Sequence, residues 1–310
     1  MGIIDLKRIK TYSAKKRKTK VALGDFAKIS KRKASFKQFY NSLPKFLAAN
    51  SLKEIVNAVV SACQQEKSVI VGMGAHVIKV GLNPIIIDLM KKKIITCIAL
   101  NGAGAIHDFE IATLGRTSED VGEGLKTGRF GMVKETLADM NEAIAELQEE
   151  SFEPRGLGAL LGKKLAKMKA PYRGQSLMYN AFELNIPLTV HVAIGTDTIH
   201  MSPKVDPKAL GESTFIDFQT LAYEVSNLEG GVYINIGSAV ILPEVFLKTL
   251  TIARNLGNKV KNFTTVNMDM LQHYRPYQNV LSRPGGRSYS LIGHHEIMVP
   301  LLYQALMESL

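Results

Sequence analysis

Five short apolar runs, each followed by a segment of helical periodicity, constrain this chain more than any other feature. The runs are SVIVGMG at 68–74, IITCIAL at 94–100, IPLTVHVAIG at 186–195, GVYINIGS at 231–238 and NFTTVNMDM at 262–270. Strands that stay apolar on both faces need cover on both faces, and strand–helix alternation supplies it in a parallel sheet. Between the runs lie NPIIIDLMKKK, with Pro84 in its first turn, and IHDFEIATLG, closed by Gly115. MVKETLADMNEAIAELQEE at 132–150 is a strong amphipathic helix, and HEIMVPLLYQALMESL ends the chain as another. The expected fold is α/β: a doubly wound, mostly parallel sheet with helices on both faces.

Charge divides the chain unevenly. The first fifty residues hold fourteen of the 39 Lys and Arg residues and two of the 28 acidic ones, so the rest of the chain is nearly neutral. Residues 1–35 therefore read as a basic, flexible arm and 36–310 as one α/β domain. The arm lacks the aromatic interleaving that base stacking needs, so nucleic acid is not the expected partner. No apolar run is long enough for a membrane span, and the first residues lack an apolar leader core, so the expected location is the cytoplasm. Cys63 and Cys97 read as free thiols.

Ligands of open parallel sheets bind at the carboxyl ends of the strands. Three strand ends here are small and glycine-rich: VGMGAH (Gly72, Gly74, His76), NGAGAIHD (Asn101, Gly102, Ala103, Gly104, Asp108) and AIGTDTIH (Gly195, Thr196, Asp197, His200). Glycine lets a backbone approach phosphate closely, which predicts dinucleotide binding. None of the three is a G-x-G-x-x-G turn, and GLGALLG at 156–162 follows no strand and reads as helix packing. Asp108 and Glu110 are expected either at ribose hydroxyls or at the positive end of their helix. Asp197 and His200 are spaced for one helix face, as an acid–base pair would be; no ligand set for a metal accompanies them. Lys79 is a candidate phosphate or carboxylate contact. His191, His200, His294 and His295 are candidate bases, with Asp197 to orient one of them.

IALNGAGAIHDFE, IPLTVHVAIGTD, YINIGSAVILPEVFLKTLTIARNLG and the closing MVPLL together resemble the deoxyhypusine synthase family, in order from about Leu47 to Leu310. The same glycine-rich block is similar to an archaeal-type ornithine cyclodeaminase domain. The resemblance implies a Rossmann-like fold, NAD as cofactor and a homotetramer with sites between subunits. It also implies oxidation of spermidine and transfer of its aminobutyl group to a protein lysine through an imine on an enzyme lysine. Asn101, Gly102, Ala103 and Gly104 match the family's NAD turn, and Gly195, Thr196 and Asp197 resemble its second cofactor turn. His107 and Asp108 stand where the family has an acidic pair.

The substrate half departs from the family. Its histidine would fall at Pro243 or Glu244, its acidic loop retains only Asp269, and no lysine follows Lys261. Arg275, Arg283 and Arg287 occupy the region instead, and His294 takes an acidic position. The expectation is an NAD-dependent enzyme acting on a small amine or hydroxy substrate bearing carboxylate or phosphate, with Glu244, Asp269, Arg275 and Arg283 at the substrate. The alternatives are an aminobutyl transferase using Lys79, and a non-catalytic binding protein gripping an acidic partner with its basic arm.

Overall fold

The computed structural model describes residues 2–148 and 156–310. Six strands form one sheet: β1 (Val69–Met73), β2 (Cys97–Asn101), β3 (Leu188–His191), β4 (Val232–Ile236), β5 (Thr264–Asp269) and β6 (Arg287–Ile292). All neighbours are parallel, in the order β3-β2-β1-β4-β5-β6. That is the Rossmann-like, doubly wound order, reversing direction between β1 and β4.

The helices are α1 (Phe36–Ser42), α2 (Leu47–Gln64), α3 (Ala75–Lys79), α4 (Asn83–Lys91), α5 (Gly102–Leu114), α6 (Val121–Lys126), α7 (Lys134–Ala145), α8 (Leu157–Lys167) and α9 (Leu177–Leu184). They continue with α10 (Pro207–Ser226), α11 (Ile241–Asn255), the single turn α12 (Tyr274–Pro276) and α13 (His295–Met307). The sequence pattern explains their faces. In α2, Leu52, Ile55, Val56 and Val59 recur at helical spacing and are all buried. Gly115 ends α5 in the left-handed conformation, φ 67°. On one face of the sheet, Tyr233 stacks on Phe246 at 3.8 Å beside Ile70, Leu242 and Phe263. On the other, α2, α4 and α13 bury Ile55, Ile86, Val299 and Leu302 against Val71 and Ile234.

The structure adds one strand to the five apolar runs and shortens two elements. The added strand is β6, an edge strand, mostly exposed or half-buried, which needs few apolar residues. β3 stops at His191, and 192–195 leave the sheet. The helix read over 132–150 runs only from Lys134 to Ala145, then a 3₁₀ turn Glu146–Gln148; Glu149 and Glu150 lie outside the described residues. Residues 2–33 are exposed except for half-buried Asp25. No helix among the described residues is long and apolar enough to cross a membrane.

Candidate functional site

The strand order reverses between β1 and β4, and at such a switch point doubly wound sheets seat their ligands at the carboxyl ends of the strands. Gly74 follows β1 and donates its N–H to Ile236 O at 2.9 Å; Gly237 follows β4 with φ 65°. A Cβ on Gly74 would stand 2.1 Å from Gly237 O, and one on Gly237 would stand 2.6 Å from Cε1 of His295. Only glycine at both positions lets these loops close on each other and on that ring.

His295 opens α13 fully buried, its ring 5.5 Å from that of His76 and its Nε2 4.0 Å from Asp269 Oδ1. Both ring nitrogens of His295 and Oδ2 of Asp269 are buried without a hydrogen-bond partner. Burial holds the imidazole below its ordinary pKa, against the pull of Asp269. Beside them, Asn235 Nδ2 donates to Asn267 Oδ1 at 2.7 Å and to Ser238 O at 3.0 Å. Asn235 Oδ1 and Asn267 Nδ2 are left unpaired. Unpaired buried donors and acceptors cost stability, and here they gather towards the carboxyl ends of β4 and β5.

A cavity of about 420 Å³ lies over the other half, beside the ends of β1, β2 and β3. Lys79, His107, Glu110, Arg116, Phe130 and Asp197 are among its walls. Within it Thr117 Oγ1 donates to Glu110 Oε2 at 2.5 Å, and Thr136 Oγ1 to Glu110 Oε1 at 3.2 Å. Thr117 Oγ1 is also 2.6 Å from Nδ1 of His107. A hydroxyl has one proton. Thr117 gives it to the carboxylate, so it accepts from His107, which must carry its proton on Nδ1. Nε2 is then the lone-pair nitrogen. Burial, and Lys79 nearby, press the His107 pKa down against the pull of Glu110, which favours the neutral ring.

The remaining residues singled out from sequence divide sharply. Asp108 does not reach ribose: it is fully buried and accepts from Asn83 Nδ2, Ser176 Oγ and the N–H groups of Leu177 and Met178 at 2.6–3.0 Å. It holds the start of α9. Gly72 is no cofactor contact either; it is buried inside β1, where a Cβ would stand 2.6 Å from the Tyr233 hydroxyl oxygen. The NAD turn predicted at Asn101, Gly102, Ala103 and Gly104 is an occupied helix start. Asn101 Oδ1 accepts from Gly104 N at 2.9 Å, and Asp197 sits where a Cβ of Gly102 would be, 2.0 Å from its Oδ2. Ala103 N also bonds Asp197, yet burial dominates and lifts that carboxyl to about 6. The anion that favours this helix end is the chain's own.

His191 is buried on β3 with Nε2 3.0 Å from Thr189 Oγ1, its pKa pressed to about 4, and it does not line the cavity. His200 closes a turn by accepting from Gly195 N at 3.1 Å, and Thr196 Oγ1 donates to Ala193 O; Thr196 and Asp197 do line the cavity. His294 is exposed, 3.9 Å from Glu296. Glu244 pairs with Lys248, accepts from Asn279 and lies 3.2 Å from Arg275, while Arg283 donates to Asn279 at 2.7 Å. Glu244 is shared by Lys248 and Arg275, Arg283 is held by the neutral Asn279, and none of these side chains lines the cavity. Of the predicted residues, Lys79, Ala103, Thr196 and Asp197 share the cavity, and Gly74, His76, Asp269 and His295 gather at the switch point. Sequence reasoning missed the roles of His107, Glu110, Arg116 and Thr117. The spacing of His107 and Glu110 puts them on one helix face and is visible in the sequence; the return of Thr117 onto them depends on the turn at Gly115. Among the described residues no group of three or more His, Cys, Asp or Glu could hold a metal.

No family model matches the sequence, and no curated protein matches it. Solved structures do. A candidate deoxyhypusine synthase from Entamoeba histolytica aligns with TM-score 0.55 and 12% identity over 89% of this chain and 94% of that one. AgrE, solved as a ternary complex with ornithine and NAD+, aligns with TM-score 0.53 and 13% identity over 83% of this chain. A conserved candidate LOR/SDH protein from Methanococcus maripaludis S2 aligns with TM-score 0.51 and 16% identity, over 84% of this chain and 68% of that one. The chain spans about a third of AgrE and of the cyanobacterial arginine dihydrolase ArgZ, 33% and 31% of their lengths. At these identities the likeness shows the fold.

Proposed function

We propose that this chain is an NAD-binding enzyme that oxidises a small amine or alcohol at the carboxyl edge of its sheet. The observation that carries the reading is the switch point between β1 and β4 in a six-stranded parallel sheet of dinucleotide-binding order. The unpaired polar atoms of His295, Asp269, Asn235 and Asn267 at that edge fit a ligand rich in donors and acceptors. NAD would be held by the loops after β1 and β4, from Gly74 to His76 and at Gly237 and Ser238, and when bound it supplies a hydride acceptor. Support comes from AgrE, which has this fold and binds ornithine and NAD+. The structural likeness to a candidate deoxyhypusine synthase supports the same cofactor.

Calorimetric titration with NAD tests this. Intact protein is expected to bind with micromolar Kd. Ala75→Glu, which sets a carboxylate in the first turn of α3 directly after β1, is expected to weaken binding at least tenfold without lowering the melting temperature. An intact protein that ignores NAD, or a variant that binds equally well, overturns the proposal.

Lys79 in the cavity wall favours a second reading, aminobutyl transfer through an imine on that residue. Borohydride trapping after incubation with spermidine and NAD distinguishes it: a transferase is labelled at Lys79, and the oxidation proposed above leaves that lysine unmodified.

A further inference from the structure

The acids and the cations around the 420 Å³ cavity are in different states. Glu110 accepts from two threonine hydroxyls, Glu119 accepts from Gly131 N at 2.7 Å, and Asp197 is set on the start of α5. Lys79 and Arg116 also line the cavity, and neither has an ion-pair or hydrogen-bond partner among the described residues. Lys79 and Arg116 are therefore the charged groups of this wall that keep all their donors for a ligand. The rest of the wall includes Ile106, Leu114, Val121 and Phe130, which suit an alkyl chain. His107 Nε2 is the one ring nitrogen its network leaves available, and the network fixes it as an acceptor.

We propose that this cavity binds a small hydroxy- or amino-carboxylate. Lys79 and Arg116 take its carboxylate, and His107 Nε2 accepts the hydrogen of its hydroxyl or amine. Thr117 is the positioning residue, fixing the imidazole tautomer, and Glu110 fixes Thr117. This names the substrate class for the oxidation proposed above, in which His107 is placed to take the proton, but binding at the cavity does not need NAD and is measured without it.

Three probes separate the elements: 2-hydroxyhexanoate, hexanoate without the hydroxyl, and 1,2-hexanediol without the carboxylate. Calorimetry is expected to show binding strongest for 2-hydroxyhexanoate, about tenfold weaker for hexanoate, and absent for the diol. Lys79→Ala and Arg116→Ala should each weaken 2-hydroxyhexanoate about tenfold. Long-range ¹H–¹⁵N correlation on histidine-labelled protein at pH 7.5 reads the relay directly. His107, identified by its loss in His107→Gln, should show the Nδ1–H tautomer; Thr117→Val should shift it towards Nε2–H, and Thr117→Ser should restore it. The proposal fails if 2-hydroxyhexanoate does not bind, if the three probes bind alike, if the lysine and arginine variants bind unchanged, or if His107 carries its proton on Nε2. A protein that binds 2-hydroxyhexanoate and not NAD would overturn the cofactor reading and leave this one standing.

Discussion

Asp217→Ala is expected to lower stability by about 3–5 kcal/mol, among the largest effects of any single substitution in this chain. Asp217 on α10 is almost fully buried, and its Oδ2 accepts from Val190 N at 2.6 Å and Gly158 N at 2.9 Å, with Leu157 N bonded as well. One carboxyl group thus ties the edge strand β3 to the start of α8. Removing it strands three buried N–H groups. Chemical denaturation of the variant beside the intact protein measures the loss.

The same residue gives the protein a pH dependence of definite sign. Burial outweighs the three N–H bonds and lifts the Asp217 carboxyl from 3.8 to about 8. The folded chain keeps this proton over a range where the unfolded chain has released it. Stability from this group is fully present below about pH 4 and is lost as pH rises to about 8. Asp108 and Asp197, lifted to about 6, act in the same direction but are spent earlier. His191, pressed down to about 4, acts oppositely and only up to its ordinary 6.5. Between pH 6.5 and 8 the urea midpoint of the intact protein should therefore fall, and that of Asp217→Asn should stay level. A level midpoint in the intact protein would show Asp217 ionised throughout.

Asp108→Ala is expected to cost about 3–4 kcal/mol for a related reason, lowering the melting temperature by roughly 6–15 °C. It leaves Asn83 Nδ2, Ser176 Oγ and the first N–H groups of α9 without their acceptor. The discriminating measurement is nucleotide affinity below the variant's melting range. An affinity equal to that of the intact protein confirms a structural carboxylate; a loss there would return Asp108 to the ligand.

Asp108 shows where reading the sequence reaches its limit. The sheet was legible because β1, β2, β4 and β5 are buried throughout or nearly so, and such strands announce themselves by continuous apolar runs. β6 was not, because an edge strand with one neighbour carries Ser288 and Ser290 without penalty. Glycine-rich strand ends were legible as a class, but not which glycine faces what. Gly72 answers to Tyr233, Gly74 to Gly237 and Gly102 to Asp197, each partner supplied by a distant segment. A carboxylate after a turn looks alike in sequence whether it faces a ribose or the start of another helix. Ser176 and Leu177, which settle the matter for Asp108, lie nearly seventy residues away.

The register of the two central strands bears on how the molecule is made as well as what it does. Val69 pairs with Val232 and Met73 with Ile236, so joining β1 to β4 closes the longest loop in the sheet, whereas the other neighbours are joined by shorter crossovers. Closing long loops is entropically costly and slow. The β1–β3 and β4–β6 halves are closed by shorter loops and are expected to gather first, and their meeting makes the switch point. Any ligand seated across it acts on a contact made late, so it should slow unfolding and leave the folding rate nearly unchanged. Stopped-flow unfolding with and without that ligand reads this as a change in one limb of the chevron alone.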